Sequence, residues 1–165
     1  MEIYKNLCFE NVTDGDVAAM TEIMKRAFDD DTKRHTDKEH DGPTGYDNGD
    51  FIRRWYINSD SISYKISKAG VLIGGVSVFI NDNGENYLGN IFIDPEYHNT
   101  GCGAIIWEFI DKTYPETKKW KTETPGYSKR NHYFYINKCG FRLVRIDNSE
   151  NKQEEVYFLE KEYEK

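Results

Sequence analysis

"IFIDPEYHNTGCGAIIWEF", Ile91 to Phe109, joins a β-rich run to a proline turn, a short polar loop, two glycines and an apolar run at helical spacing. Gly101 and Gly103 stand where a helix begins, although glycine inside a helix costs about 1 kcal/mol against alanine. The first N–H groups of a helix are unpaired and sit at the positive end of its dipole. Such an end binds anions when no side chain bars the approach. Two readings of the glycines stand side by side: a cradle for phosphate, or a tight turn with close helix–strand packing. No Gly-Lys-Ser/Thr follows, so this is not a Walker loop. Ile106 occupies the place of the third glycine of a dinucleotide fingerprint, which excludes that motif too.

Upstream, Ser61–Ser67, Val71–Ile80 and Tyr87–Asp94 read as three strands joined by the hairpin-like turns "KAG" and "NDNGEN". Before them, Ile3–Phe9 reads as a strand, and Thr13 with Asp16 reads as a capping box. Val17, Met20, Met24 and Ala27/Phe28 then form a helical stripe. From Asp29 to Asp50 the periodicity vanishes, and a polar segment of that length in a small domain is disordered or functional. Phe51–Ile57 reads as a short helix. Downstream, helix Gly101–Thr113 ends before Pro115 and "KKWKTET", Lys118–Thr124, is a strand. A helix then starts at Ser128 and stops at Gly140, and Phe141–Ile146 and Glu155–Leu159 close the sheet. Strand 87–94, helix 101–113 and strand 118–124 make a βαβ crossover, so those two strands are expected to be parallel.

The chain has 165 residues, 38% hydrophobic and 15% aromatic, with a formal net charge of −7. The composition is globular, and the acidity argues against a nucleic-acid partner, which calls for basic patches. No apolar stretch approaches the roughly 18 residues of a membrane span. The N-terminal segment is polar and lacks a signal-peptide core. Cys8, Cys102 and Cys139 are far apart and show no metal-ligand spacing, so reduced thiols in a cytoplasmic protein and no bound metal are expected.

From Tyr87 to Phe141 the sequence resembles the GCN5-related N-acetyltransferase family. The signature strand-Pro-x-x-x-x-x-Gly-x-Gly/Ala is matched by "IFIDPEYHNTGCGAIIWEF", and the Asn-led later helix by "NHYFYINKCGF". The element order extends the resemblance over nearly the whole chain. It implies one acetyltransferase domain over residues 1–165, of α/β (α+β) class. Its central sheet would be mixed and mostly antiparallel, with one parallel βαβ crossover and about four flanking helices. It also implies acetyl-CoA as co-substrate and a primary amine as acceptor, and a homodimer is common in the family.

Carried over residue by residue, the resemblance assigns the acetyl-CoA pyrophosphate to His98, Asn99, Thr100, Gly101, Cys102 and Gly103. The first of these is usually Arg or Gln in the family, and a neutral His98 predicts weaker, more pH-dependent binding. The pantetheine arm is expected along Phe92, Ile93 and Asp94, whose backbone also offers an oxyanion donor. Asn131 resembles a cofactor-contacting residue at the start of the later helix. Many relatives carry a base, Glu, on the fourth strand; here the stretch reads Leu88-Gly89-Asn90. Asn90 can hold a water but cannot be a base, and Glu123 is the first alternative. The tyrosine that protonates the departing thiolate falls at Ile136 in the family pattern. Tyr135 lies one residue away, about 100° around the helix, so a bulge would be needed to restore it.

The segment Asp29–Asp50 falls where relatives line the acceptor site. Its carboxylates outnumber its Lys and Arg, and Tyr46 and Asp47 lie in its turn-rich part. Acidic groups beside an aromatic suit a small cationic amine. Two other classes remain at this stage: a non-catalytic acyl-CoA-binding module with the same fold, and a nucleotide-binding domain.

Overall fold

The structure is a computed structural model that describes residues 1–163. Eight strands form one sheet: β1 (Glu2–Tyr4), β2 (Leu7–Asn11), β3 (Ile62–Lys68), β4 (Val71–Phe79), β5 (Glu85–Ile93), β6 (Lys119–Pro125), β7 (Arg142–Asp147) and β8 (Val156–Glu162). Their order is β1-β2-β3-β4-β5-β6-β8-β7, and among the described residues only β5 and β6 run parallel. The helices are α1 (Val17–His35), α2 (Cys102–Thr113) and α3 (Lys129–Tyr133), with a further helical turn at Ile52–Ile57. This is the mixed sheet with one parallel crossover that the sequence predicts.

The two faces of the sheet carry separate cores. Ile106, Trp107 and Ile110 of α2 pack with Leu88, Trp120, Phe141 and Leu159. Val17, Met20 and Met24 of α1 pack with Ile52, Tyr56 and Phe92 on the other face. Leu88 and Phe92 are four residues apart and would share a face in a regular strand. They do not, because Ser77 pairs with Asn90 and Val78 with Leu88, leaving Gly89 as a bulge. The bulge turns Asn90 and Phe92 toward α1 and leaves Ile91 and Ile93 beside α2.

Two expectations about the N-terminal third change. The first strand is a hairpin, β1 and β2, because Lys5 and Asn6 adopt φ of 44° and 67° and reverse the chain. Helix α1 continues six residues past Asp29, to His35. Apolar periodicity misses this extension because its buried face is polar and satisfied by hydrogen bonds. Asp29 accepts from the Tyr46 hydroxyl at 2.7 Å, Asp31 from the Ser128 hydroxyl at 2.9 Å, and Thr32 donates to the Asp41 carbonyl at 3.0 Å.

The predicted cap at Thr13 is formed: the Asp16 carboxylate accepts from the Thr13 N–H at 2.8 Å and from Lys65 Nζ at 2.8 Å. Burial acts to raise this carboxyl, but the bonds from Lys65 and Thr13 outweigh it and hold the group below its ordinary value. Asp16→Ala is expected to lower stability by about 1 kcal/mol. A carboxyl depressed by folding stabilises above its unfolded value, about 3.9, and stops doing so as pH falls through its folded value. Denaturant titrations of both proteins at neutral pH and in acid should therefore show the difference closing in acid.

Candidate functional site

β5 and β6 pair only from Glu85–Lys119 to Tyr87–Lys121. Beyond that the strands part, and the Thr122 hydroxyl donates to the Leu88 carbonyl at 2.9 Å where the ladder ends. The Asp94 N–H donates to the Ile73 carbonyl at 2.7 Å, so alternate residues of β5 bond to β4. The polar backbone groups of Ile91 and Ile93 therefore face the gap.

A cleft of about 480 Å³ fills this opening, walled by the end of α1, β5, the start of α2, and α3. Ile105 makes the first i→i−4 bond of α2, to the Gly101 carbonyl at 3.1 Å. The N–H groups from Gly101 to Ala104 precede it and have no intrahelical acceptor. The two glycines have different reasons. Gly101 adopts φ +84°, and a Cβ there would meet nothing within 4 Å, so the turn is left-handed and its outer side open. A Cβ on Gly103 would lie 2.9 Å from Phe134 Cε1 and 3.3 Å from Ile93 Cδ1, so Gly103 lets α2 close against α3 and β5. The packing reading therefore holds for Gly103, while Gly101 serves the turn and leaves the start of α2 uncovered.

Of the residues singled out in the sequence, Phe92, Ile93, His98, Asn99, Gly101, Cys102, Gly103, Asn131 and Tyr135 line this cleft. Tyr135 reaches it through local geometry. Phe134–Lys138 is a π-helical turn, with the Cys139 N–H donating to the Phe134 carbonyl at 3.1 Å. The extra residue of that turn rotates Tyr135 inward, where it is 6% exposed, and leaves Ile136 outside at 40%. Burial, with Cys139 next, raises the Tyr135 phenol far above its ordinary value, against a smaller lowering pull from Thr122. It is protonated at neutral pH.

The other candidates lie elsewhere. The Asp94 carboxylate caps the following turn at the Glu96 N–H, 3.1 Å away, and pairs with Arg26 at 2.6 Å. The Thr100 hydroxyl is turned back onto the Tyr97 carbonyl. Asn90 accepts from the Tyr56 hydroxyl at 2.6 Å, on the face toward α1. Glu123 is exposed and accepts from the Tyr87 hydroxyl at 3.1 Å. Tyr46 is buried against Phe28 with its hydroxyl on Asp29, and Asp47 is exposed. None of these six lines the cleft.

The structure adds Arg130 and Lys138, the two cations of the cleft wall. No sequence pattern marks Arg130, since its partners are distant: Asp30 Oδ2 at 2.9 Å and His98 Nδ1 at 3.0 Å. Arginine only donates, so His98 Nδ1 accepts and its Nε2, 3.2 Å from the Ile93 carbonyl, bears the proton. Burial, then the charge of Arg130, pushes His98 below its usual range, and it is neutral at neutral pH. Among the described residues no three His, Cys, Asp or Glu side chains are grouped to hold a metal ion. Among them no helix is long and apolar enough to cross a membrane. Free N–H groups, an open strand edge and a protonated phenol together suit an elongated ligand with an anionic end and an acyl end.

A model of the acetyltransferase (GNAT) family matches residues 17–141. The uncharacterized protein YrkN of Bacillus subtilis (strain 168) is 36% identical over 118 residues, 71% of this chain and 63% of that protein. The chain thus matches less than two thirds of that relative's length. An acetyltransferase from Thermus thermophilus shares the fold with a TM-score of 0.75 at 11% identity, over 98% of this chain and 100% of its own. Spermidine N-acetyltransferase from Vibrio cholerae, in complex with CoA and spermine, gives a TM-score of 0.66 at 15% identity, over 95% of each chain. At these identities the two structures establish the fold alone.

Proposed function

This chain belongs to the GNAT acetyltransferase family, and from that premise we propose that it transfers acetyl from acetyl-CoA to a small cationic primary amine. The observation that carries the reading is the open, left-handed turn at Gly101, which leaves the first N–H groups of α2 free at one end of the cleft. The pyrophosphate would lie there, and the pantetheine arm along the open edge at Ile91 and Ile93. One acetyltransferase domain spans residues 1–165, acting in the cytoplasm, where its three free cysteines would stay reduced.

The amine attacks the thioester directly, the C–N bond forms and the C–S bond breaks. Tyr135 donates its phenolic proton to the departing sulfur, and the proton shed by the new amide nitrogen restores the phenol through solvent. The amine must first lose a proton. Glu123, on the strand edge beyond the opening of the sheet, receives it, directly or through a water held by the Asn90 amide. The acidic segment 29–50 attracts the cation, with exposed Asp47 contributing charge and Tyr46 anchoring the segment through Asp29. The Vibrio cholerae spermidine enzyme, with spermine bound, supports an acceptor of this class.

The test is release of CoA from acetyl-CoA across a panel of polyamines, amino sugars, amino-acid derivatives and neutral amines. Release that depends on amine and is fastest with the cationic members is expected. Glu123→Gln should lower the rate several-fold at neutral pH and steepen its rise with pH, because alkali deprotonates the amine without help. A second reading rests on one observation: neither Glu123 nor Asn90 lines the cleft. Tight acetyl-CoA binding without release to any amine would favour that reading, a non-catalytic acyl-CoA-binding module.

A further inference from the structure

The loop position that usually carries Arg or Gln in this family carries His98, and the structure makes that histidine neutral. Its two nitrogens are committed, Nδ1 to Arg130 and Nε2 to the Ile93 carbonyl. It brings no charge to a phosphate. Arg130 does: its guanidinium lies at the cleft wall, 3.0 Å from the His98 ring. The side chain is 28% exposed and touches the loop that leads into the glycine turn, through His98.

We propose that Arg130, delivered by α3, is the side-chain cation for the diphosphate of the acyl carrier, and that Asp30 competes with the diphosphate for it. The proposal rests on the acyl-CoA reading above. In the structure the guanidinium is shared: Nη1 bonds Asp30 at 2.9 Å, and Nη2 lies 3.5 Å from Asp31. Neither acid is stranded if Arg130 turns toward a phosphate. Asp30 keeps Arg34, whose Nε is 3.0 Å away, and Asp31 keeps the Ser128 hydroxyl at 2.9 Å. A guanidinium fork pairs with phosphate through two parallel N–H bonds, which neither Asp30 nor Asp31 alone receives from it here. Lys138, the other cation of the wall, has no carboxylate within ion-pair distance among the described residues, but it follows Arg130 by two helical turns and lies over the Tyr133 ring.

Calorimetric titration of the purified chain with CoA, dephospho-CoA and pantetheine tests this. Arg130→Gln should weaken CoA and dephospho-CoA equally, tenfold or more by expectation for a charge-assisted fork, and leave pantetheine unchanged. Asp30→Asn should tighten CoA, because the competing carboxylate is gone. This second variant keeps the test alive should Arg130→Gln fold poorly. Three results would overturn the proposal. In the first, Arg130→Gln binds CoA as the wild type does, or loses CoA and pantetheine alike, as for a mere strap between α1 and α3. In the second, the loss appears with CoA but not with dephospho-CoA, which assigns Arg130 to the 3′-phosphate. In the third, Asp30→Asn weakens CoA. A wild-type chain that binds none of the three ligands defeats the acyl-CoA reading itself, a distinguishable outcome.

Discussion

Tyr135→Phe is expected to lower the rate constant for acetyl transfer by about 100-fold, the low end of the range for a positioned general acid, without changing the affinity for CoA. The substitution removes one oxygen and keeps the ring that packs on Phe134 and Phe141. The cleft wall therefore stays in place, and the loss falls on kcat rather than on KM. The effect has an upper bound, since a thiolate with a pKa near 8.5 takes a proton from water unaided. Burial keeps the phenol protonated well above neutrality, so Tyr135 should impose no alkaline limb on the rate up to about pH 9. Steady-state release of CoA from both proteins, followed against pH, checks each part. An unchanged kcat would leave protonation to water.

Gly103→Val is expected to abolish CoA binding at ordinary concentrations and to destabilise the fold. Its first added carbon would already stand 2.9 Å from Phe134, a ring that follows α3 and precedes Tyr135. Overpacking of this kind costs about 1–3 kcal/mol, which for a domain of this size is about 2–4 °C of midpoint per kcal/mol. The ring has to move, and the π-helical turn behind it carries Tyr135. Gly101→Ala gives the contrast. Its methyl meets nothing, so the cost is left-handed strain of about 1–2 kcal/mol, with a smaller loss of CoA affinity. Melting and CoA titration of both variants separate a packing glycine from a conformational one. Equal effects of the two substitutions would contradict the division of labour between them.

The crossover from β5 through α2 to β6 was legible because its signals are local: a proline, two glycines and an apolar run within nineteen residues. The antiparallel order β3-β4-β5 followed from its hairpin turns, whereas no local signal places β8 between β6 and β7. What was not legible depends on distance or on polar burial. The last six residues of α1 follow Asp29 and carry Asp31 and Thr32 inward, and partners as far along the chain as Ser128 satisfy them. Tyr135 was separated from its expected place by one residue, and a π-helical turn has no compositional mark. Asn131 carries the family resemblance, whereas nothing local marks its neighbour Arg130, because Asp30 lies one hundred residues away. His98 was expected to make binding pH-dependent. Burial, then the charge of Arg130, lowers its pKa further below the ordinary histidine value, so CoA affinity should instead be flat between pH 7 and 8.

Thermal unfolding with acetyl-CoA, CoA or ATP at equal concentration tests the acyl-CoA reading most directly. A ligand at about 100 times its Kd stabilises by about 2.7 kcal/mol, which corresponds here to a rise of about 5–10 °C. A rise with acetyl-CoA and with CoA, but not with ATP, is the expected result. Equal rises with all three would contradict it in favour of a nucleotide site, and no rise with either thioester or thiol would contradict it and leave Gly101 and Gly103 as features of packing alone.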